Sequence, residues 1–262
     1  MRRDSAAALA FVLAIAPGPA LAVKSVRYPE VKVEIAEPAR TDAAFDAMRK
    51  ALAEAVAAKD AAALFRLVGP TFVWTVESES TEEFDMGRDA LHNFKVAFGF
   101  RPFGQDADGP VEGGPFWDAL AEIVKDAGVV RPLENGNLLC GPITATVVSD
   151  AALAQAKKRI ETQDETADWY HTLAETPVMK APGDAGPPIS RIGRIAVPVL
   201  DVHPPAPEGQ PAPPITYLQI LLPTGKTGWI AFAAARPLVR DQLCFAKTVS
   251  GEWKIASYDQ NQ

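Results

Sequence analysis

The chain has 262 residues, a net charge of −7 with its three histidines counted as neutral, and 48% hydrophobic residues. This length accommodates one large domain or two ordinary ones, and the apolar content is enough to build a folded core. An acidic chain without a basic cluster binds nucleic acids and anionic membranes poorly, so we expect neither as a partner.

The N-terminus has the features of a secretory signal peptide. Arg2 and Arg3 precede an apolar run over residues 6–16, and the small-residue motif Ala-Leu-Ala follows at residues 20–22. The run is too short to cross a bilayer as a helix, and no later segment is long and apolar enough to do so. We therefore predict a signal peptide over residues 1–22 and a periplasmic or secreted protein. The alternative is a buried N-terminal helix.

Residues 23–76 alternate between extended and helical patterns. Residues 23–40 predict an extended lead-in or edge strand, with Val31, Val33 and Ile35 on one face. Thr41 or Asp42 is placed to cap a helix, and its apolar stripe at helical spacing consists of Phe45, Met48, Leu52 and Val56. Asp60 starts a shorter helix that Gly69-Pro70 ends, and the β-branched and aromatic residues 71–76 then predict a strand.

Residues 77–168 complete a helix-rich α/β domain that we expect to span residues 23–168. Five carboxylates between Glu77 and Asp85 lack the spacing of a calcium loop and indicate a solvated acidic loop. Helical patterns follow at residues 87–98 and 116–127, an apolar β-branched pattern at 138–148, and a last helix to about Ile160. The polar stretch 161–168 is the best candidate for a domain boundary.

Residues 169–262 contain a series of short β-like segments. Leu218, Ile220 and Leu222 alternate before a polar turn at residues 223–227, and residues 228–232 return as a second strand. Two further strand patterns lie after residue 241, with a turn at Ser250-Gly251 between them. The proline-rich insert at residues 204–214 favours polyproline II geometry and predicts a loop.

The step Gly228-Trp229-Ile230 resembles the bacterial SH3-like (SH3b) domain, and the likeness extends over about residues 175–238. It implies that residues 169–262 form an SH3-like β-barrel, so the predicted fold class is α+β. Such modules in exported bacterial proteins bind peptidoglycan or pack beside a catalytic partner. The whole layout is similar to that of exported proteobacterial proteins with a C-terminal SH3-like domain.

The first half resembles the NTF2-like fold in its helix from Phe45 to Val56, the following short helix, the strand at residues 71–76 and the helix near His92. The likeness ends where this chain has a loop and a helix at Trp117 instead of further strands. It implies a pocket lined by Trp74, His92 and Trp117, with His92 as a base near neutral pH. The competing interpretation is a core, because lone aromatic residues at helical or strand spacing are usually core residues.

Tyr217, Trp229 and Phe232 are the candidate ligand-binding residues. If the alternating leucines and isoleucines point inward, Tyr217 and Trp229 lie on the other face of the hairpin and form an aromatic platform. Leu221 shares that face, however, and a strand that is apolar on both sides is usually covered on both sides. The competing interpretation is therefore that Tyr217 and Trp229 pack against the first half of the chain.

Cys140 and Cys244 are the only cysteines. In an exported protein they form either a disulfide that ties the middle of the chain to its C-terminus, or two buried thiols. Cys140 as a nucleophile, with His171 or His203 as its base, is disfavoured because no helix start or basic neighbour would lower its pKa.

No sequence motif carries a reaction. His92, His171 and His203 have no metal-ligand spacing, and zincin, nucleophile-elbow, P-loop and dinucleotide motifs are missing from the sequence. We therefore assign no catalytic residue, metal or cofactor. The sequence predicts a non-catalytic cell-envelope protein that binds a cell-wall component such as peptidoglycan, or a partner protein. The alternative is a small-ligand-binding or enzymatic NTF2-like domain with the SH3-like domain as its packing partner.

Overall fold

The computed structural model describes residues 26–76, 88–101, 114–126, 128–132, 137–160, 169–205 and 213–260. The predicted signal peptide, the acidic loop at 77–85 and the boundary stretch 161–168 lie outside these ranges. The described residues contain both helices and sheets, so the protein is of the α+β class that the sequence predicts.

The helices and strands follow one another along the whole described chain. The helices are α1 (Ala43–Ala57), α2 (Ala61–Phe65), α3 (Ala90–Ala97), α4 (Trp117–Lys125) and α5 (Asp150–Ile160), with a 3-10 turn at Phe232–Ala234. The first strands are β1 (Val31–Ile35), β2 (Val68–Val76), β3 (Leu138–Gly141), β4 (Ala145–Val147), β5 (Trp169–Thr172), β6 (Thr176–Val178) and β7 (Ser190–Ile192). The remaining strands are β8 (Ile195–His203), β9 (Tyr217–Leu221), β10 (Thr227–Ala231), β11 (Ala235–Pro237), β12 (Gln242–Lys247) and β13 (Trp253–Gln260).

The first helix forms as its sequence pattern predicts. Its predicted stripe is buried in full: Phe45, Met48, Leu52 and Val56. Asp42 is the cap, since its Oδ1 accepts a hydrogen bond from the Phe45 amide at 2.8 Å. The same oxygen accepts from Trp253 Nε1 at 3.0 Å, and the other carboxylate oxygen lies 2.7 Å from Lys247 Nζ. The cap thereby also attaches α1 to β12 and β13.

One sheet, which we call the helix-covered sheet, has the strand order β2-β13-β12-β3. The β2–β13 pair is parallel, and the other two pairs are antiparallel. Side chains from one face of this sheet are buried with those of α1, α3 and α4 in a single aromatic-rich core. Edge-to-face ring pairs at 5.1–5.5 Å join the sheet to α1: Phe45 with Phe245 and Phe45 with Trp253.

Cys140 and Cys244 lie directly opposite each other on β3 and β12 and are joined by a disulfide. The sequence alone left a disulfide and two free thiols as equal alternatives. The bond closes a separation of 104 residues and lies within the helix-covered sheet.

The other large sheet, which we call the hairpin sheet, is organised around β8. Strands β1 and β5 pair with the first half of β8, and β9 pairs with its second half. Strand β4 extends the sheet beyond β1, β10 extends it beyond β9, and β11 extends it beyond β5. Leu218, Ile220 and Ile230 are buried in a core on one face, whereas Leu221 is buried in a different core on the other face.

The strand pairing departs from the predicted division at residue 168. β12 and β13, which the sequence analysis assigned to the SH3-like barrel, lie in the helix-covered sheet, while β1 and β4 lie in the hairpin sheet. Among the described strands, the order β10-β9-β8-β1-β4 is that of an open sheet and not of a closed ring. The physical reason is burial, because β13 places Trp253, Ile255 and Tyr258 in the core beneath the helices.

Two local predictions are wrong. Strand β1 is internal, paired on both sides by β4 and β8, and is neither a lead-in nor an edge. Gly69-Pro70 does not end a helix, because α2 ends at Phe65 and both residues belong to β2. A side-chain carbon at Gly69 would lie 2.9 Å from the Ile255 carbonyl oxygen, so glycine allows β13 to approach there.

Candidate functional site

The outward face of β8, β9 and β10 brings together polar and aromatic side chains. His203 is paired with Tyr217 across β8 and β9, while Gln219 is paired with Asp201 on one side and with Trp229 on the other. Directly paired residues share a face, as do residues two apart along a strand. The ring centroids of Tyr217 and Trp229 lie 6.4 and 6.2 Å from that of His203. We call these five residues the aromatic face.

The aromatic face is only partly covered. His203, Tyr217, Gln219 and Trp229 are half-buried, and Asp201 is exposed. Leu221 lies on the same face of β9 but is 2% exposed, with the Tyr28 hydroxyl donating a hydrogen bond to its carbonyl oxygen at 2.7 Å. The predicted cover from the first half of the chain therefore reaches Leu221, whereas Tyr217 and Trp229 retain exposed surface beside His203.

The position before Trp229 has no room for a side chain, which explains why residue 228 is a glycine. A side-chain carbon at residue 228 would lie 2.4 Å from Val178 Cγ1 and 3.1 Å from the Met179 carbonyl oxygen. The missing side chain lets the segment after β6 approach β10 closely. Met179 and Trp229 then exchange two backbone hydrogen bonds of 2.8 Å. Both backbone groups of Trp229 thus bond to Met179, while β9 lies along the other edge of β10.

Phe232, the third predicted ligand-binding residue, does not join Tyr217 and Trp229. It lies in the 3-10 turn, and its ring centroid is 6.5 Å from that of Tyr170. It packs against the core of Leu218, Ile220 and Ile230, on the opposite face of the sheet. The sequence reasoning grouped three aromatic residues by proximity along the chain, but the 3-10 turn separates the third from the other two.

The sequence analysis did not place His203, Gln219 and Asp201 on the aromatic face, and considered His203 only as a base for Cys140. Alternation along β9 would have placed Gln219 beside Tyr217. The β8 residues could not be placed, because the register shifts between Val199 and Asp201 and a long insert separates β8 from β9.

The residues proposed for an NTF2-like pocket are distributed around the core of the helix-covered sheet. Trp74 is buried in that core, and Trp117 packs edge-on against Phe100 with a centroid distance of 5.1 Å. His92 is half-buried on α3, with Nδ1 3.0 Å from Arg101 Nη1. These contacts correspond to the core interpretation that the sequence left open.

Cys140 and His171 are not in the chemical states that a nucleophile and its general base need. Cys140 is bonded to Cys244 and has no thiol. His171 is 1% exposed, and neither ring nitrogen has a hydrogen-bond partner among the described residues. Burial lowers the pKa of His171 to about 4, the backbone of Thr172 opposes this shift, and Arg240 and Arg236 add to it. The imidazole is therefore neutral at physiological pH.

Among the described residues, no group of three or more His, Cys, Asp or Glu side chains is arranged to hold a metal ion. No helix in the described ranges has the length and apolar character needed to cross a membrane. No protein-family model, curated protein or solved structure matches the chain.

Proposed function

We propose that this is an exported cell-envelope protein that binds the saccharide strands of peptidoglycan through its aromatic face, without catalysing a reaction. The observation that carries the proposal is the partial exposure of Tyr217, Trp229 and His203 on one face that also presents Asp201 and Gln219. The neighbouring Leu221 is buried, so on this face of β9 the exposed surface belongs to Tyr217 and Gln219.

The chemistry of the aromatic face suits a sugar. Tyr and Trp rings bury the apolar C–H side of a sugar ring while their polar groups remain in water. The Asp201 carboxylate accepts hydrogen bonds from hydroxyl groups, and the Gln219 amide both donates and accepts, as an N-acetyl group requires. Since Asp201 adds a negative charge to this face, the face favours the neutral glycan over the carboxylates of the stem peptides.

The proposal includes an SH3-like arrangement for residues 169–239. In support, β8 is shared between the β5–β11 pair at its first half and the β9–β10 hairpin at its second half, and a 3-10 turn precedes β11. Export is supported by the signal-peptide pattern at residues 1–22 and by the Cys140–Cys244 disulfide, since such bonds persist in oxidising compartments.

The proposal is tested by co-sedimentation of the purified mature protein with peptidoglycan sacculi, and by calorimetric titration with a soluble N-acetylglucosamine tetramer. We expect Trp229→Ala to weaken binding at least about tenfold, because the ring supplies most of the apolar contact area. Phe116→Ala is the matched control, since Phe116 is an exposed aromatic residue at the start of α4. It should bind as the unmodified protein does.

Thermal unfolding of each variant separates a binding role from packing. Weakened binding at a nearly unchanged melting temperature supports the aromatic face as the site, whereas a large drop in melting temperature indicates that Trp229 mainly packs. Sacculi that fail to retain the unmodified protein would contradict the proposal and favour a partner protein as the ligand.

A further inference from the structure

A second candidate site lies where the chain passes from the hairpin sheet to the helix-covered sheet. Helix α4 forms one wall of a cleft, and residues from Phe232 to Asp241 form the other. The volume of the cleft is about 640 Å³, which lies in the range of small-molecule sites. This cleft is on a different part of the molecule from the aromatic face, and the inference drawn from it does not depend on the proposed function.

Much of the cleft wall is apolar. Ile123 on α4 contributes, together with Pro142 after β3 and Phe232, Pro237 and Val239 on the opposite wall. Phe232, which the sequence analysis grouped with Tyr217 and Trp229, is half-buried and lines this cleft. Such a surface favours a ligand with a hydrocarbon body.

The carboxylates of the cleft already have partners. Asp126 forms an ion pair with Arg240 at 3.1 Å, Asp241 accepts a hydrogen bond from the Tyr258 hydroxyl at 2.5 Å, and Glu122 lies 3.5 Å from Lys125 Nζ. The Asp126–Arg240 pair is the most buried of these ion pairs, with the Arg240 side chain 14% exposed. Each acidic group of the cleft therefore has a hydrogen-bond or ion-pair partner within the described residues.

Arg236 differs from the other cationic residues of the cleft. Its Nη1 donates hydrogen bonds to the carbonyl oxygens of Ala233 at 3.3 Å and Ala235 at 2.8 Å. Among the described residues, Arg236 has no ion-pair partner. The residue opposite it on β5 is His171, which is buried and neutral. The neighbouring strand therefore supplies no carboxylate for the Arg236 guanidinium.

We propose that this cleft binds a small carboxylic acid with a hydrocarbon body, with the carboxylate on the Arg236 guanidinium and the hydrocarbon against Ile123, Phe232 and Val239. A guanidinium offers two parallel N–H donors in a geometry that matches a carboxylate. The carbonyl contacts of Nη1 fix the orientation of the Arg236 fork at the wall of the cleft. The positive charge of Arg236 selects the carboxylate, and the apolar lining selects the hydrocarbon body of the ligand.

The test compares octanoate with octanol, which has the same chain length and no charge, by calorimetric titration of the full mature protein. We expect octanoate to bind at least about tenfold more tightly than octanol. Arg236→Gln should remove that difference by weakening octanoate alone. Arg191→Gln is the matched control, because Arg191 forms an exposed ion pair with Glu175, and it should leave octanoate binding unchanged.

A second variant keeps the test independent of any effect of Arg236 on folding. Ala119 is an exposed residue of α4 that lines the cleft, so Ala119→Trp should fill the cleft and block octanoate while Arg236 stays in place. The proposal is overturned if octanoate and octanol bind equally, if neither Arg236→Gln nor Ala119→Trp weakens octanoate, or if octanoate shows no saturable binding in the millimolar range.

Discussion

The helix-covered sheet and the hairpin sheet are stabilised in different ways. The helix-covered sheet has one apolar face beneath α1, α3 and α4, and its strands come from widely separated parts of the chain. The hairpin sheet has apolar residues on both faces of β9, one set in each of two smaller cores. The first sheet therefore depends on bringing distant segments together, whereas the second depends on covering a local hairpin from both sides.

Each sheet also contains strands from both ends of the chain. Strand β1, near the N-terminus, lies in the hairpin sheet, and β12 and β13, near the C-terminus, lie in the helix-covered sheet. The segment 238–241 is the connection through which the chain returns to the first sheet. Because each sheet contains strands from both halves, damage to one should lower the stability of the other.

The largest effect is expected from removing the disulfide of the helix-covered sheet. In the chain-entropy account, a bond across 104 residues stabilises the folded state by about 4–5 kcal/mol, because it restricts the unfolded chain. Cys140→Ser with Cys244→Ser should lose much of that free energy of unfolding in urea titrations. The control is a reductant, which should destabilise the unmodified protein but leave the double variant unchanged. Two reactive thiols in the denatured, unreduced protein would rule the bond out.

Acid should act on the hairpin sheet through His171. Burial lowers the pKa of His171 from 6.5 to about 4, so between these values the unfolded chain binds a proton that the folded protein does not. Stability is therefore complete above about pH 6.5, falls as the pH drops, and has lost about 3 kcal/mol from this group near pH 4.

His171→Gln removes this titration and should flatten the dependence of unfolding free energy on pH between 7 and 4. Equal slopes in the His171→Gln and unmodified proteins would show that His171 is hydrated or already paired in solution.

The sequence predicts what is local in both sheets. The stripe Phe45, Met48, Leu52 and Val56 predicts α1 because helical spacing puts these residues on one face. The hairpin of β9 and β10 is predicted because one short turn joins two alternating strands. The strands β12 and β13 are likewise recognised as strands from their composition.

The partners of these strands are not encoded locally. The parallel pair β2–β13 joins Val73 to Ser257, and no periodicity in either segment specifies the other. Prediction of the aromatic face is limited in the same way. Alternation along one hairpin predicts the positions of Tyr217 and Trp229. The positions of His203 and Asp201 depend on a shifted register across a long insert, which no local pattern specifies. The cleft beside Arg236 was not predicted at all, because its walls come from segments about a hundred residues apart.

The smallest of these effects is expected at Gly228, which tests how closely the hairpin sheet is covered at its β10 edge. Gly228→Ala would place a methyl group 2.4 Å from Val178 Cγ1 and 3.1 Å from the Met179 carbonyl oxygen, so the backbone must shift. Overpacking of this kind costs about 1–3 kcal/mol. Gly193→Ala is the matched control in the same region, since no atom of the described residues lies within 4 Å of the added carbon.

Urea titrations of the two glycine variants at neutral pH give the comparison directly. If Gly228→Ala is destabilised and Gly193→Ala is not, the contact between Val178 and β10 is as close in solution as in the structure. Sacculus binding by the Gly228→Ala variant adds a second measure, because the shift would displace Trp229, whose backbone pairs with Met179. If the two variants are equally stable, β10 is held less closely in solution than its backbone hydrogen bonds in the structure indicate. The close approach at Gly228 would then not explain the position of Trp229.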